Sequence, residues 1–341
     1  MRLPLLVTGI AGVAGFNAYH YFAEKYPGQV VGIRQKDNWR LQHPGIVACD
    51  AEDKPGLRRL FEKYRFQSVL NAAGNCALRA CELDPALAWR TNVAGLDNLL
   101  DFVAGTDIRL LHLSIDLVFS GAKLGGYLES DDPDPVTVYG KTMAAAEERL
   151  ARRKPDACTL RISLPMGISF NGHAGAIDWI QSRYRQEKPA TLYYDEVRTP
   201  TYVACMNRMF EELFVKEEIT GLYHAGGPIR LSLYQIAQIV NKVGGYDPRL
   251  VQGCYRIEAG PMPPRAGNVT MDSSRLAEAL GRTPFDPWPL DPQYLPTDRE
   301  WHLDDSIDLG GSADLLTTTL YQNPRLPDPV PPSAYPLERV S

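Results

Sequence analysis

The octet Thr8-Gly9-Ile10-Ala11-Gly12-Val13-Ala14-Gly15 follows an apolar run over residues 3–8 and opens a helical pattern over 12–25. A strand that turns through G-x-x-G-x-x-G into a helix leaves a chain few options. Glycines there permit positive φ and close backbone approach, and the helix start offers unpaired N–H groups and a positive dipole end. The arrangement predicts a turn that cradles a pyrophosphate against Gly9, Ile10, Ala11, Gly12, Val13 and Gly15. The same stretch also has the look of a short signal peptide, with Arg2 ahead of a small-residue run. The regular pattern that follows favours the strand.

Short apolar runs at 3–8, 29–33, 46–49, 68–71, 109–114 and 158–162 alternate with helical patterns at 12–25, 54–64, 76–104 and 137–153. The third of these helices is interrupted by Pro85. Such alternation predicts an α/β fold, a Rossmann-like doubly wound parallel sheet with helices on both faces. Pro4 fits only near the end of the first strand. Beyond residue 165 the pattern loosens into helices at 176–186, 202–215 and 233–243 and strands near 191–194 and 221–225. We therefore expect a dinucleotide-binding unit over 1–165 and a smaller α+β substrate lobe over 166–321, its chain partly interleaved with the first unit. Residues 322–341 form a proline-rich tail with no expected chemistry.

A net charge of −5 gives no reason to expect nucleic acid or an anionic membrane surface as partner. The six cysteines and six histidines are dispersed, without metal-ligand spacing or a C-x-x-C. No metal is expected, and reduced thiols suit a cytoplasmic protein. No apolar run approaches the roughly 20 residues of a membrane span.

The end of the second strand selects the dinucleotide. An acidic residue there would bond a ribose 2′-hydroxyl, but this strand ends in Arg34, followed by Lys36. A guanidinium at that place suits a 2′-phosphate, hence NADP(H); an ordinary solvated strand end is the alternative. Asp50, closing the third strand, is a candidate for the adenine edge.

Further segments occur in a fixed order: Asn71-Ala72-Ala73-Gly74, Thr91-Asn92-Val93-Ala94-Gly95, His112-Leu113-Ser114-Ile115-Asp116, Val138-Tyr139-Gly140-Lys141-Thr142, Arg198-Thr199-Pro200-Thr201 and Gly221-Leu222-Tyr223-His224-Ala225-Gly226-Gly227. With the glycine turn, they resemble the extended short-chain dehydrogenase/reductases, and most closely the dTDP-4-dehydrorhamnose reductase group, from about residue 3 to 285. The resemblance implies that Ala72, Ala73 and Gly74 border the cofactor and that Asn92 organises the site. It implies reduction of a ketone on a nucleotide-activated deoxysugar, with Tyr139 as proton donor.

Three positions depart from or bear on that chemistry. The group carries a lysine four residues after its tyrosine, where this chain has Met143. Lys141 does not replace it, because two residues turn a helix by about 200°. The group's Ser-Thr-Asp reads Ser114-Ile115-Asp116, which leaves Ser114 as the nearby hydroxyl. Neighbouring strand residues point oppositely, so that replacement is imperfect. Without an ammonium beside it, the tyrosine stays protonated at neutral pH, which suits reduction better than oxidation or redox epimerisation. Two alternatives remain open. One is a non-catalytic NADP-binding regulatory protein, like the regulatory subunit of methionine adenosyltransferase that resembles the same reductases. The other is an enzyme of changed, epimerase- or dehydratase-like chemistry.

On the substrate side the resemblance points to Ser114, Met166, Arg198, Thr199 and Arg265. Both arginines are candidate bidentate diphosphate ligands, with surface salt bridges as the plain alternative. Trp179, Tyr184 and Tyr202 either stack on a base or pack the lobe. One-sided apolar helices at 76–104 and 137–153 suggest, by resemblance, a homodimer.

Overall fold

The computed structural model describes residues 1–172 and 175–321; the expected tail at 322–341 lies outside the described residues. Strand β1 (Leu5–Thr8) leads through the glycine turn into helix α1 (Val13–Lys25) and back to β2 (Val30–Arg34) and β3 (Ile46–Ala48). Next come α2 (Lys54–Tyr64), β4 (Ser68–Asn71), α3 (Leu78–Leu83), α4 (Pro85–Trp89) and α5 (Gly95–Val103). The central part closes with β5 (Arg109–Ile115), α6 (Val138–Arg153) and β6 (Cys158–Ile162). The first strand is shorter than expected, because Pro4 precedes it and cannot donate to the ladder.

Beyond it lie β7 (Pro165–Met166), α7 (Ala176–Arg185), β8 (Ala190–Tyr193), β9 (Val197–Arg198), β10 (Thr201–Tyr202) and α8 (Val203–Val215). The chain continues as β11 (Gly221–Ala225), β12 (Leu231–Ser232), α9 (Leu233–Gly244), β13 (Val251–Cys254) and α10 (Ser274–Leu280). Seven strands form one parallel sheet in the order β11-β6-β5-β4-β1-β2-β3. The remaining short strands pair two by two around it.

Alternation within the central strands explains why both faces are covered. Leu5, Val7, Leu70 and Leu111 join one buried cluster, with α1, α8 and α9. Leu6, Val69 and Leu110 join the other, with α2, α5 and α6. Successive strand residues point to opposite faces, so an all-apolar strand needs a layer on each side. Each fully buried Leu or Val contributes roughly 1.5–3 kcal/mol of transfer free energy.

The direction of winding reverses between β1 and β4, and open α/β sheets place ligands at such a switch, beyond the carboxyl ends of the strands. Gly9 sits there with φ +66°, and a Cβ on it would come within 2.2 Å of the Ala72 carbonyl oxygen. Only glycine lets the β1 turn and the β4 end approach this closely.

Candidate functional site

A cleft of about 400 Å³ opens at the switch, walled on one side by the glycine turn and on the other by Glu196, Arg198, Leu233 and Arg265. Helix α1 begins at its floor. Gly12 is the N-cap, no side chain caps it, and no acidic residue lies in the first turn. The helix's positive end therefore opens on the cleft beside Ala11–Gly15. Ile10 departs from the expectation. It is fully buried in the core against the β2 layer and does not line the cleft.

At the end of β2, Arg34 lines the cleft and donates to the carbonyls of Gln35 (3.0 Å) and Lys36 (3.2 Å). Its Nε is buried without a hydrogen-bond partner. Lys36 and Asp50 lie outside the lining. The Lys36 ammonium pairs with Asp53 at 3.1 Å and Asp50 at 3.7 Å, while the Asp50 carboxylate accepts the Lys36 backbone N–H at 2.9 Å. Cys49 and Ala51, the neighbours of Asp50, face the cleft instead.

Ala72, Ala73 and Gly74 line the cleft. The Thr8 hydroxyl fixes that segment: it donates to Asn71 at 2.6 Å and accepts the N–H groups of Ala72 and Ala73 at 3.1 Å. Asn71 is buried and turned to His112, at 2.9 Å. The interrupted helix resolves into α3, α4, a π-helical turn over Arg90–Ala94, and α5. Asn92 sits in that π turn, a geometry common at functional sites. Its amide accepts the Asn75 N–H at 2.6 Å and donates to the Thr142 hydroxyl at 2.8 Å, tying the cleft loop to α6.

Thr137 caps α6, accepting the Gly140 N–H at 2.9 Å. Gly140 allows the helix start to lie against the segment after β5, since a Cβ there would come within 2.1 Å of the Leu117 carbonyl oxygen. Tyr139 is thereby placed in the cleft wall, with Met143 one turn further along. Both are buried, whereas Lys141 is exposed on the opposite side of the helix. Burial pushes the Tyr139 phenol well above its ordinary value; Cys76 and Asp116 add to the rise and Arg198 opposes it.

Several expected contacts are placed elsewhere. Ser114 borders the cleft, but its hydroxyl donates to the buried Glu147, which forms an ion pair with Arg161 at 2.7 Å. A hydroxyl so committed does not replace the missing threonine. Arg198 lines the cleft, yet its Nε and Nη2 bind Asp116, a residue with no exposed surface. Against the cost of burial, Asp116 raises that guanidinium above its ordinary value, so the fork expected to clasp a diphosphate is already occupied.

Met166 is fully buried in the core and Thr199 packs against Gly226; neither lines the cleft, although Pro165 does. Tyr184 and Tyr202 are core residues, and Trp179 is partly exposed outside the cleft lining. Arg265 remains at the cleft, its guanidinium over the Tyr193 ring at 4.9 Å.

Sequence reasoning missed Asp116 as the anchor of Arg198, and it missed Glu196. Glu196 is buried, lines the cleft, and carries an Oε2 with no hydrogen-bond partner. Two residues before Arg198 on an extended segment, it shares a face with it. That alternation was the available signal.

The sequence profile of the RmlD substrate-binding domain matches residues 1–291. The dTDP-4-dehydrorhamnose reductase of Aggregatibacter actinomycetemcomitans is 26% identical over 296 residues, covering 83% of this chain and 95% of that protein. Methionine adenosyltransferase 2 subunit beta of Xenopus laevis is 26% identical over 289 residues, covering 82% and 84%. The crystal structure of a dTDP-4-dehydrorhamnose reductase from Bacillus anthracis str. Ames in complex with NADP superposes with a TM-score of 0.72 at 19% identity, covering 84% of this chain and 96% of that one.

Proposed function

The chain belongs to the RmlD substrate-binding domain family, and we propose that it is an NADP(H)-dependent reductase acting on a ketone of a nucleotide-activated deoxysugar, with Tyr139 as proton donor. The observation that carries this reading is the buried phenol of Tyr139 in the cleft wall, held protonated by its surroundings. Relatives named as reductases of dTDP-linked keto sugars support the substrate class.

The residues present fit the dinucleotide. The Gly9–Gly15 turn and the uncapped start of α1 would hold the pyrophosphate, and Arg34, with its unpartnered buried Nε, the 2′-phosphate. Ala72, Ala73, Gly74, Asn92 and Met143 complete that wall. When bound, the nicotinamide supplies the hydride.

The chain's own part is proton delivery. The Tyr139 O–H donates to the ketone oxygen as that oxygen gains negative charge. Met143 offers no cation to the tyrosinate left behind, so the reverse step, which needs tyrosinate as base, is the more handicapped direction. Arg198 is the charged group that favours the tyrosinate. Substrate-site water is limited by the apolar wall of Ile115, Leu117 and Leu164.

The test is NADPH oxidation with dTDP-4-keto-6-deoxysugars by wild type and Tyr139→Phe. A fall of about 100-fold or more is expected; equal rates would sink the reading. Met143→Lys combined with Ile115→Thr is expected to raise the wild-type rate. One observation favours a regulatory protein instead: neither Met143 nor the committed Ser114 hydroxyl supplies the group's usual assistance. NADP(H) binding without turnover on such sugars would select that reading.

A further inference from the structure

We propose that Glu196, set between Arg198 and Arg265, recognises a hydroxyl of the sugar, so that this end of the cleft reads the sugar and not the diphosphate. The proposal rests on the nucleotide-sugar reading above and names the group that this part of the cleft receives.

The Glu196 backbone and the two arginine side chains are held in place, and each of the three residues keeps an unsatisfied polar group. Glu196 is 2% exposed, and its backbone carbonyl accepts the Leu233 N–H at 3.0 Å. Arg198 is held through Nε and Nη2 by Asp116, which leaves Nη1 3.8 Å from Glu196 Oε1. Arg265 rests on the Tyr193 ring, with Nη1 3.8 Å from Glu196 Oε2 and a buried Nε that has no partner. Both separations are too long for hydrogen bonds, so Glu196 Oε2 is buried among opposite charges yet accepts no hydrogen bond. Burial raises its carboxyl above the ordinary value, while the two arginines hold it down.

The chemistry of the missing partner follows from what it must satisfy. It has to donate to Glu196 and accept from at least one guanidinium. An alcohol does both. A phosphate only accepts, and it would lie against the Glu196 carboxylate. An ammonium only donates, and it would face two guanidiniums. A sugar hydroxyl therefore matches all three groups.

Isothermal titration of the full chain with dTDP and with dTDP-glucose separates these roles, using wild type, Glu196→Gln and Arg265→Met. Loss of a charged acceptor for a ligand hydroxyl is expected to weaken dTDP-glucose about tenfold or more, while dTDP changes less than about twofold. Arg265→Met, at a partly exposed site, should show the same selective loss and carries the test if Glu196→Gln does not fold. Equal weakening of both ligands, no change in either, or tighter dTDP binding by Glu196→Gln each overturns the assignment. The last outcome would place the diphosphate there. If wild type binds neither ligand, the nucleotide-sugar reading itself falls, and the assignment falls with it.

Discussion

Arg34 and Lys36 stand two residues apart at the end of β2 and read alike in the sequence, but the fold separates them. Lys36 is drawn to Asp53 and Asp50 on the surface, and Arg34 is left to face the cleft with one buried N–H unpartnered. Arg34→Met is therefore expected to weaken NADPH binding about tenfold or more while changing NADH binding little, as measured by fluorescence titration. Equal effects on both dinucleotides would remove Arg34 from the 2′-phosphate role. Residues whose type and place in a motif determine their surroundings were legible in this way: the glycine turn, Ala72 to Gly74, and Tyr139 with Met143. Ser114 and Arg198 were not, because their partners Glu147 and Asp116 are 33 and 82 positions away. No local pattern shows that a hydroxyl or a guanidinium has been claimed from such a distance.

Helix α6 carries Tyr139, the proposed proton donor, on its first turn, so the helix start is where stability and the proposed chemistry meet. The Thr137 cap satisfies the Gly140 N–H next to Tyr139. Thr137→Ala is expected to cost about 1 kcal/mol in chemical denaturation and to lower kcat, while Thr137→Ser restores both. A loss of stability with kcat untouched would show that the cap does not position Tyr139. The long helical pattern at 76–104 was legible as helix with a break at Pro85. The π turn over Arg90–Ala94 was not, because one extra residue in a helical turn leaves apolar spacing almost unchanged. The two-residue strands β7, β9, β10 and β12 were also invisible, since a pair of residues has no period to detect.

Across the whole molecule, alternating strand and helix patterns foretold the parallel sheet, because strands buried on both faces are largely apolar. The same burial removes two histidines from water. His112 and His224 have almost no exposed surface, and burial lowers both from 6.5 to about 4. Both stay neutral in the fold where the unfolded chain takes up protons. Their contribution to stability is thus fully present above about pH 7 and declines as pH falls from about 6.5 towards 4. The slope is about 1.4 kcal/mol per pH unit for each histidine. Urea denaturation across that range should show the decline; a flat profile would mean that both rings accept protons in the native state.

The seventh strand of the sheet has a consequence for separability. β11 lies at the sheet edge against β6, but it is reached only after the chain has passed through α7 and α8. A fragment cut after β6 would leave β6, buried at every position, with an open backbone edge, able to pair with a neighbouring molecule. Neither part of this chain is a detachable module. Exchanging a segment that follows β6 for another means rebuilding the sheet that carries the glycine turn.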